Sequence, residues 1–93
     1  MLEICKMLTL SMEHISEKSI QLLENESKNN ILWLTVYPKD EFGFWIHVPD
    51  YFDEEQHDLP EDIFRCMELA HRNGCTWLCL DVDGEVADEL EQN

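Results

Sequence analysis

The stretch Gly74-Cys75-Thr76-Trp77-Leu78-Cys79-Leu80-Asp81-Val82-Asp83-Gly84 constrains this chain most. Seven residues, Thr76 to Val82, are mostly apolar or β-favouring, and an Asp83-Gly84 turn signal closes them. They read as the last strand of a small sheet. A helical pattern lies before it, and the earlier apolar runs need this strand to pack against. A chain of 93 residues makes one domain, 1–93, and buries only about 60–65% of its unfolded surface.

Taken in order, residues 4–10 read as a first strand with Met7 and Thr9 on one side and Leu8 and Leu10 on the other. Both sides are fairly apolar, which suits a central strand. Ser16 is a credible N-cap for a first helix, with Ile15 and Ile20 as a hydrophobic staple and Leu22 and Leu23 continuing the stripe. That helix is expected to end near Asn25 to Asn30. Residues 31–37 form the next strand, which Pro38 should end because it has no N–H for a ladder. After a turn at Lys39-Asp40-Glu41, residues 42–48 return as a hairpin partner. Phe42, Phe44, Ile46 and Val48 then share one face, and Trp45 and His47 the other. Gly43 marks a bulge or a close backbone approach.

Residues 49–60 form an acidic loop with two aromatics and room for a short 3₁₀ turn. Pro60 opens a second helix, with Glu61 and Asp62 favourably placed in its first turn. Ile63, Cys66, Met67 and Ala70, with Phe64 beside them, form its apolar stripe. Asn73-Gly74 ends it, the glycine supplying a left-handed cap. Beyond Gly84, Val86, Ala87 and Leu90 suit a short strand or turn before an acidic, frayed tail at 85–93. The expected fold class is α+β. The β-α-β-β-α-β order gives a ferredoxin-like split βαβ arrangement: a four-stranded antiparallel sheet with two helices on one face. The other face would then carry large residues: Trp33 or Leu34, Trp45 or Phe44, Trp77 or Leu78. A bare aromatic face implies a dimer or a protein partner unless the 49–60 loop and the tail fold over it.

Charge narrows the function classes. The chain carries 21 acidic and 6 basic residues, a formal net charge of −15. Such a charge opposes direct binding to nucleic acid or anionic membrane. It favours a basic partner, a cation, or solubility alone. Seven acids lie in residues 50–62 and six in 81–93, with no base in either. Loops and tails are also where solvated charge ordinarily goes. No run of 18 apolar residues suggests a membrane span, and Met1 to Met7 lacks the basic start of a signal peptide. The expected location is therefore cytoplasmic. Cys5, Cys66, Cys75 and Cys79 then read as reduced thiols, though three disulfide pairings exist on paper.

Chemical motifs are weak. Leu80-Asp81-Val82-Asp83-Gly84 looks like the strand-end motif of haloacid-dehalogenase-type phosphoryl transfer. That fold needs a large α/β sheet after the motif, and nine residues follow Gly84. Asp81, Asp83, Glu85 and Asp88 do not match an EF-hand, in which glycine is the sixth loop residue and not the fourth. Zinc spacing is also missing: Cys75 and Cys79, on one regular strand, would lie about 13 Å apart by strand rise. A Cys–His nucleophile pairing Cys75 or Cys79 with His71 or His47 would sit in an unfavourable negative field. Neither a phosphate-binding loop nor a basic nucleic-acid face is present in the sequence. No cofactor, metal site or catalytic residue is assigned.

Three stretches carry a resemblance: Leu8-Thr9-Leu10-Ser11 through His14-Ile15-Ser16; Val36-Tyr37-Pro38-Lys39-Asp40-Glu41-Phe42-Gly43-Phe44-Trp45-Ile46 with Val48-Pro49; and Leu59-Pro60 through Gly84. Together they resemble a family of short uncharacterised bacterial proteins, often carried on phages or other mobile elements. The resemblance implies an accessory, mobile-element context and brings no catalytic residues.

The leading expectation is a small, acidic, non-enzymatic interaction module. Its acidic segments would engage a basic or nucleic-acid-binding protein, in one version by imitating phosphate charge. Interaction residues are expected among Trp45, Asp50, Tyr51, Phe52, Asp53, Glu54, Glu55, Asp58, Asp81, Asp83 and Glu85. One alternative is an enzyme, or a ligand- or metal-binding site, using His14, Cys79, Asp81 or Asp83. Another is a homodimer through the open sheet face.

Overall fold

In the computed structural model, residues 2–29, 34–50, 59–90 and 92 are described. Strand β1 (Met7–Ser11) leads through a 3₁₀ turn (Met12–His14) into helix α1 (Glu17–Asn29). Strands β2 (Val36–Lys39) and β3 (Gly43–His47) form a hairpin, and helix α2 (Glu61–Arg72) precedes β4 (Trp77–Asp81). The expected element order and α+β class are observed.

The sheet itself differs from the expectation. Its order is β1-β4-β3-β2, with β1 parallel to β4 and the other two pairs antiparallel. It is mixed, not antiparallel. β1 and β2 run the same way at opposite edges, so the crossover through α1 spans the whole sheet, whereas a ferredoxin-like interleaving would set β1 beside β3. Burial gives the reason. Leu78, Cys79, Leu80 and Asp81 of β4 are all buried, whereas Met7 and Thr9 of β1 are exposed. A strand that is apolar on both faces belongs inside a sheet. β4 therefore takes the interior place expected of β1.

Local chemistry fixes each element. Ser16 Oγ accepts from the Ser19 amide at 3.2 Å, the expected N-cap. α2 ends in a Schellman motif: the Cys75 amide donates to the Ala70 carbonyl at 2.9 Å and that of Gly74 to His71 at 3.0 Å. Gly74 sits at φ +73°, a conformation in which glycine escapes the Cβ penalty. Pro38 does not end β2; it pairs with Phe44 inside it. Because β2 is an edge, the missing N–H costs no internal ladder bond, and it blunts that edge.

One core fills one side of the sheet. Leu10, Val36, Phe44, Ile46, Leu78 and Leu80 pack with Leu23 of α1 and with Ile63, Cys66, Met67, Leu69 and Ala70 of α2. Both helices thus cover the same face, as the two-residue period requires. Residues of the tail up to Leu90 are tied to the fold. Ser11 N–H donates to the Glu85 carbonyl at 2.8 Å, Ala87 N–H donates to His14 Nε2 at 2.9 Å, and Ala87 and Leu90 pack on the core.

Candidate functional site

The face away from the helices is built by the alternate strand positions. Register aligns Tyr37, Trp45, Cys79 and Thr9 in one row. His47, Trp77 and Met7 form the next row, and Lys39, Gly43, Asp81 and Ser11 the third. Trp45 and Trp77 are half-buried and His47 is exposed. Tyr37 keeps 53% of its surface exposed and Met7 48%. Ala87 and Leu90 of the tail pack toward the helix side and not over this face, while residues 51–58 of the loop expected to join the tail there lie outside the described residues.

Trp77 leans across β3 toward Tyr37, their ring centroids 6.1 Å apart and inclined at 33°. His47 meets Trp77 edge-on at 5.2 Å. The Lys39 ammonium lies 5.6 Å from the centroid of the Trp45 ring. It also pairs with the Asp81 carboxylate and reaches Cys79 Sγ at 3.9 Å. Lys39 reaches Asp81 across the row that Gly43 leaves without a side chain. A Cβ on Gly43 would collide with the Leu80 carbonyl oxygen and lie 2.7 Å from the Leu80 carbonyl carbon. This is the close approach expected at that position.

The charges in this row are mutually tuned. The bond from Lys39 holds the Asp81 carboxyl below its usual range, helped by the Asp83 amide, which donates at 2.7 Å. Asp81 in turn raises the Lys39 ammonium. Burial raises the Cys79 thiol, with Lys39 opposing. Cys79 is therefore a protonated, protected thiol rather than an activated nucleophile. Asp81 and Asp83 form a strand-closing turn, with the Gly84 amide donating to the Asp81 carbonyl at 3.0 Å. Asp81 is buried and committed to Lys39; Asp83 and Glu85 are exposed.

The other sequence candidates are scattered. His14 is buried at the turn that follows β1, its Nε2 accepting from the Ala87 amide at 2.9 Å, whereas Asp81 pairs with Lys39 and Asp83 is exposed. Cys66 is core, and burial raises its thiol to about 12, with Asp62 adding to the effect. Cys75 lies before β4 and packs in the core, so it shares no strand face with Cys79. Asp50 is exposed, its carbonyl 3.1 Å from His71 Nε2. Trp33, Tyr51, Phe52, Asp53, Glu54, Glu55 and Asp58 lie outside the described residues. Sequence reasoning missed Tyr37 and Lys39 as members of this surface, and of the pair Trp77 or Leu78 that it offered for the face, the register selects Trp77. The period-two pattern of β2 and β4 carried the signal, but the register joining them was not readable.

A concavity of about 560 Å³ lies between the starts of α1 and α2 and is lined by His14, Ser16, Ser19, Asp62, Arg65 and Leu90 among others. Asp62 accepts from Ser16 N–H at 2.8 Å and from Ser19 Oγ–H at 2.7 Å. Its carboxylate thus binds the α1 start to α2 and satisfies polar groups there. Among the described residues no group of three or more His, Cys, Asp or Glu is arranged to hold a metal ion. None of their helices is long and apolar enough to cross a membrane.

Residues 7–93 match the C-terminal domain of DUF5983, a family of unknown function. The chain belongs to that family. No curated protein and no solved structure was found to match. The DUF5983 match covers all of the stretches that carried the resemblance, and it brings no phage or mobile-element link of its own.

Proposed function

We propose that this domain is a protein-binding module whose open sheet face docks a basic partner. One observation carries the reading: Tyr37, Trp45, His47 and Trp77 share the sheet face opposite the helices, with Tyr37 53% exposed and His47 exposed, on a chain of net charge −15. Rigid strands hold these rings, so little conformational entropy is lost on docking, and aromatic anchors dominate interface energy. The acids at 50–62 and 81–93 supply a long-range field that draws a positive partner and repels nucleic acid and anionic lipid. In this reading Trp45, Asp83 and Glu85 contribute to binding, while Asp81 holds Lys39 in place. The same field opposes pairing of two copies. In the mobile-element setting that the resemblance implies, the partner is a host or phage protein, and a cytoplasmic one.

The test is capture of basic proteins from host lysate by the wild type, by a Tyr37→Ala/Trp77→Leu variant, and by a variant with the acids of 50–58 neutralised. Loss of the same specific partner in both variants, with thermal unfolding showing that each still folds, is the expected result. Capture unchanged in the aromatic variant would remove the face from the function.

A further inference from the structure

We infer that Tyr37, His47 and Trp77 form a docking site for an arginine side chain of the partner, a step that rests on the reading of the open face as a binding surface. The face already holds one cation in a way that shows how a second would bind. Lys39 lies 5.6 Å from the centre of the Trp45 ring and is neutralised by Asp81. Lys39 is also the only lysine or arginine among the strand residues of that face. One row away, Trp77 and Tyr37 stand 6.1 Å apart at 33°, with His47 bracing Trp77 from its edge at 5.2 Å. This second ring cluster has the chemistry that Lys39 exploits at Trp45, without a strand-borne cation of its own.

The occupant follows from charge and shape. Ring faces attract cations, and indole does so most strongly. A net charge of −15 draws positive segments toward the surface. Between the two basic side chains, guanidinium is planar and weakly hydrated and stacks on rings, whereas ammonium keeps its water. Met7, paired with Trp77 and 48% exposed, offers an apolar border for the arginine methylenes. The site therefore takes a basic peptide through an arginine laid on Tyr37 and Trp77.

Three peptides of one length decide the matter: alternating glycine–arginine, glycine–lysine, and glycine–citrulline, the last matching arginine in shape without charge. Binding is read by calorimetry and by the indole N–H signals of the full chain. The arginine peptide is expected to bind tightest, to move the Trp77 indole signal, and to lose roughly two- to thirty-fold in affinity with Tyr37→Leu or Trp77→Leu. Tyr37 is half exposed, so Tyr37→Leu keeps the test valid if Trp77→Leu unfolds. Neutralising the acids of 50–58 is expected to weaken the arginine and lysine peptides alike and to leave their ranking. Equal binding of citrulline and arginine overturns the proposal, as does arginine binding that ignores both ring substitutions. Concentration-dependent dimerisation that shields Trp77 does so as well, because a second copy is then the occupant. If lysate capture still needs Tyr37 and Trp77 while arginine and citrulline peptides compete equally, this inference falls and the face remains a binding surface.

Discussion

Gly43 and Gly74 should fail differently when replaced by alanine, and the contrast tests the sheet geometry directly. At Gly74 a Cβ would meet nothing within 4 Å, and the cost is the positive φ of +73°. That conformation costs an L-residue about 1–2 kcal/mol. At Gly43 a Cβ would strike the Leu80 carbonyl group and stand 3.0 Å from Asp81 Cα. These are backbone atoms of the adjoining strand, so no rotamer change relieves them. β3 must move away from β4, breaking a ladder that joins Gly43 to Asp81 and Phe44 to Leu80. Overpacking of this kind costs about 1–3 kcal/mol and more where backbone must shift. For a domain of this size each kcal/mol moves Tm by about 4–8 °C. Gly43→Ala should therefore lower Tm by roughly 4–24 °C and change the near-ultraviolet tryptophan dichroism, because Trp45 and Trp77 report the β3–β4 spacing. Gly74→Ala should lower Tm by about 4–16 °C with that signal intact, and Gly74→Asn less, since asparagine tolerates the left-handed region. Differential scanning calorimetry with near-ultraviolet dichroism reads both. A Gly43→Ala protein that melts within 2 °C of wild type, by order of magnitude well under one kcal/mol, would refute the close approach.

Other expectations follow from the same contacts. Asp62→Ala strands the Ser16 amide and the Ser19 hydroxyl and should cost on the order of 2 kcal/mol in urea unfolding, whereas Asp62→Asn should recover part of it. Asp81 has a lowered folded pKa, so its contribution is present above the usual value of 3.8 and is lost as pH falls through the lower folded value. Acid unfolding of wild type and Asp81→Asn should converge there, and a gap that persists at the lowest pH would count against the Lys39 pair. Cys66 is raised to about 12 from 9.0, so the unfolded chain releases its proton first and stability falls as pH climbs between those values. Cys66→Ala should flatten that alkaline slope, and thiol labelling of native protein should leave Cys66 unreacted.

Much of the fold was legible because local chemistry wrote it. Ser16 caps α1, Asn73-Gly74 ends α2, and the alternation of β3 sends Phe44 and Ile46 inward and Trp45 and His47 outward. These depend on a few neighbouring residues and on the helix and strand periods. The apolar run Trp77-Leu78-Cys79-Leu80 also held the clue that β4 is interior, but β1 looks fairly apolar on both sides too, and only burial separates the two. The missing N–H of Pro38 ends an interior strand but not an edge, and the edge position of β2 is set by the sheet order.

What the residues determined unaided was the sequence of elements and which residues of a strand share a side, since both follow from short-range sterics and periodicity. The pairing of β1 with β4, and with it the gathering of Tyr37, Lys39, Trp45, His47, Trp77 and Asp81 on one surface, was decided in three dimensions. Strand order is a competition among whole strands for burial, and the winner depends on apolar area summed over the entire sheet rather than on any neighbouring pair of residues.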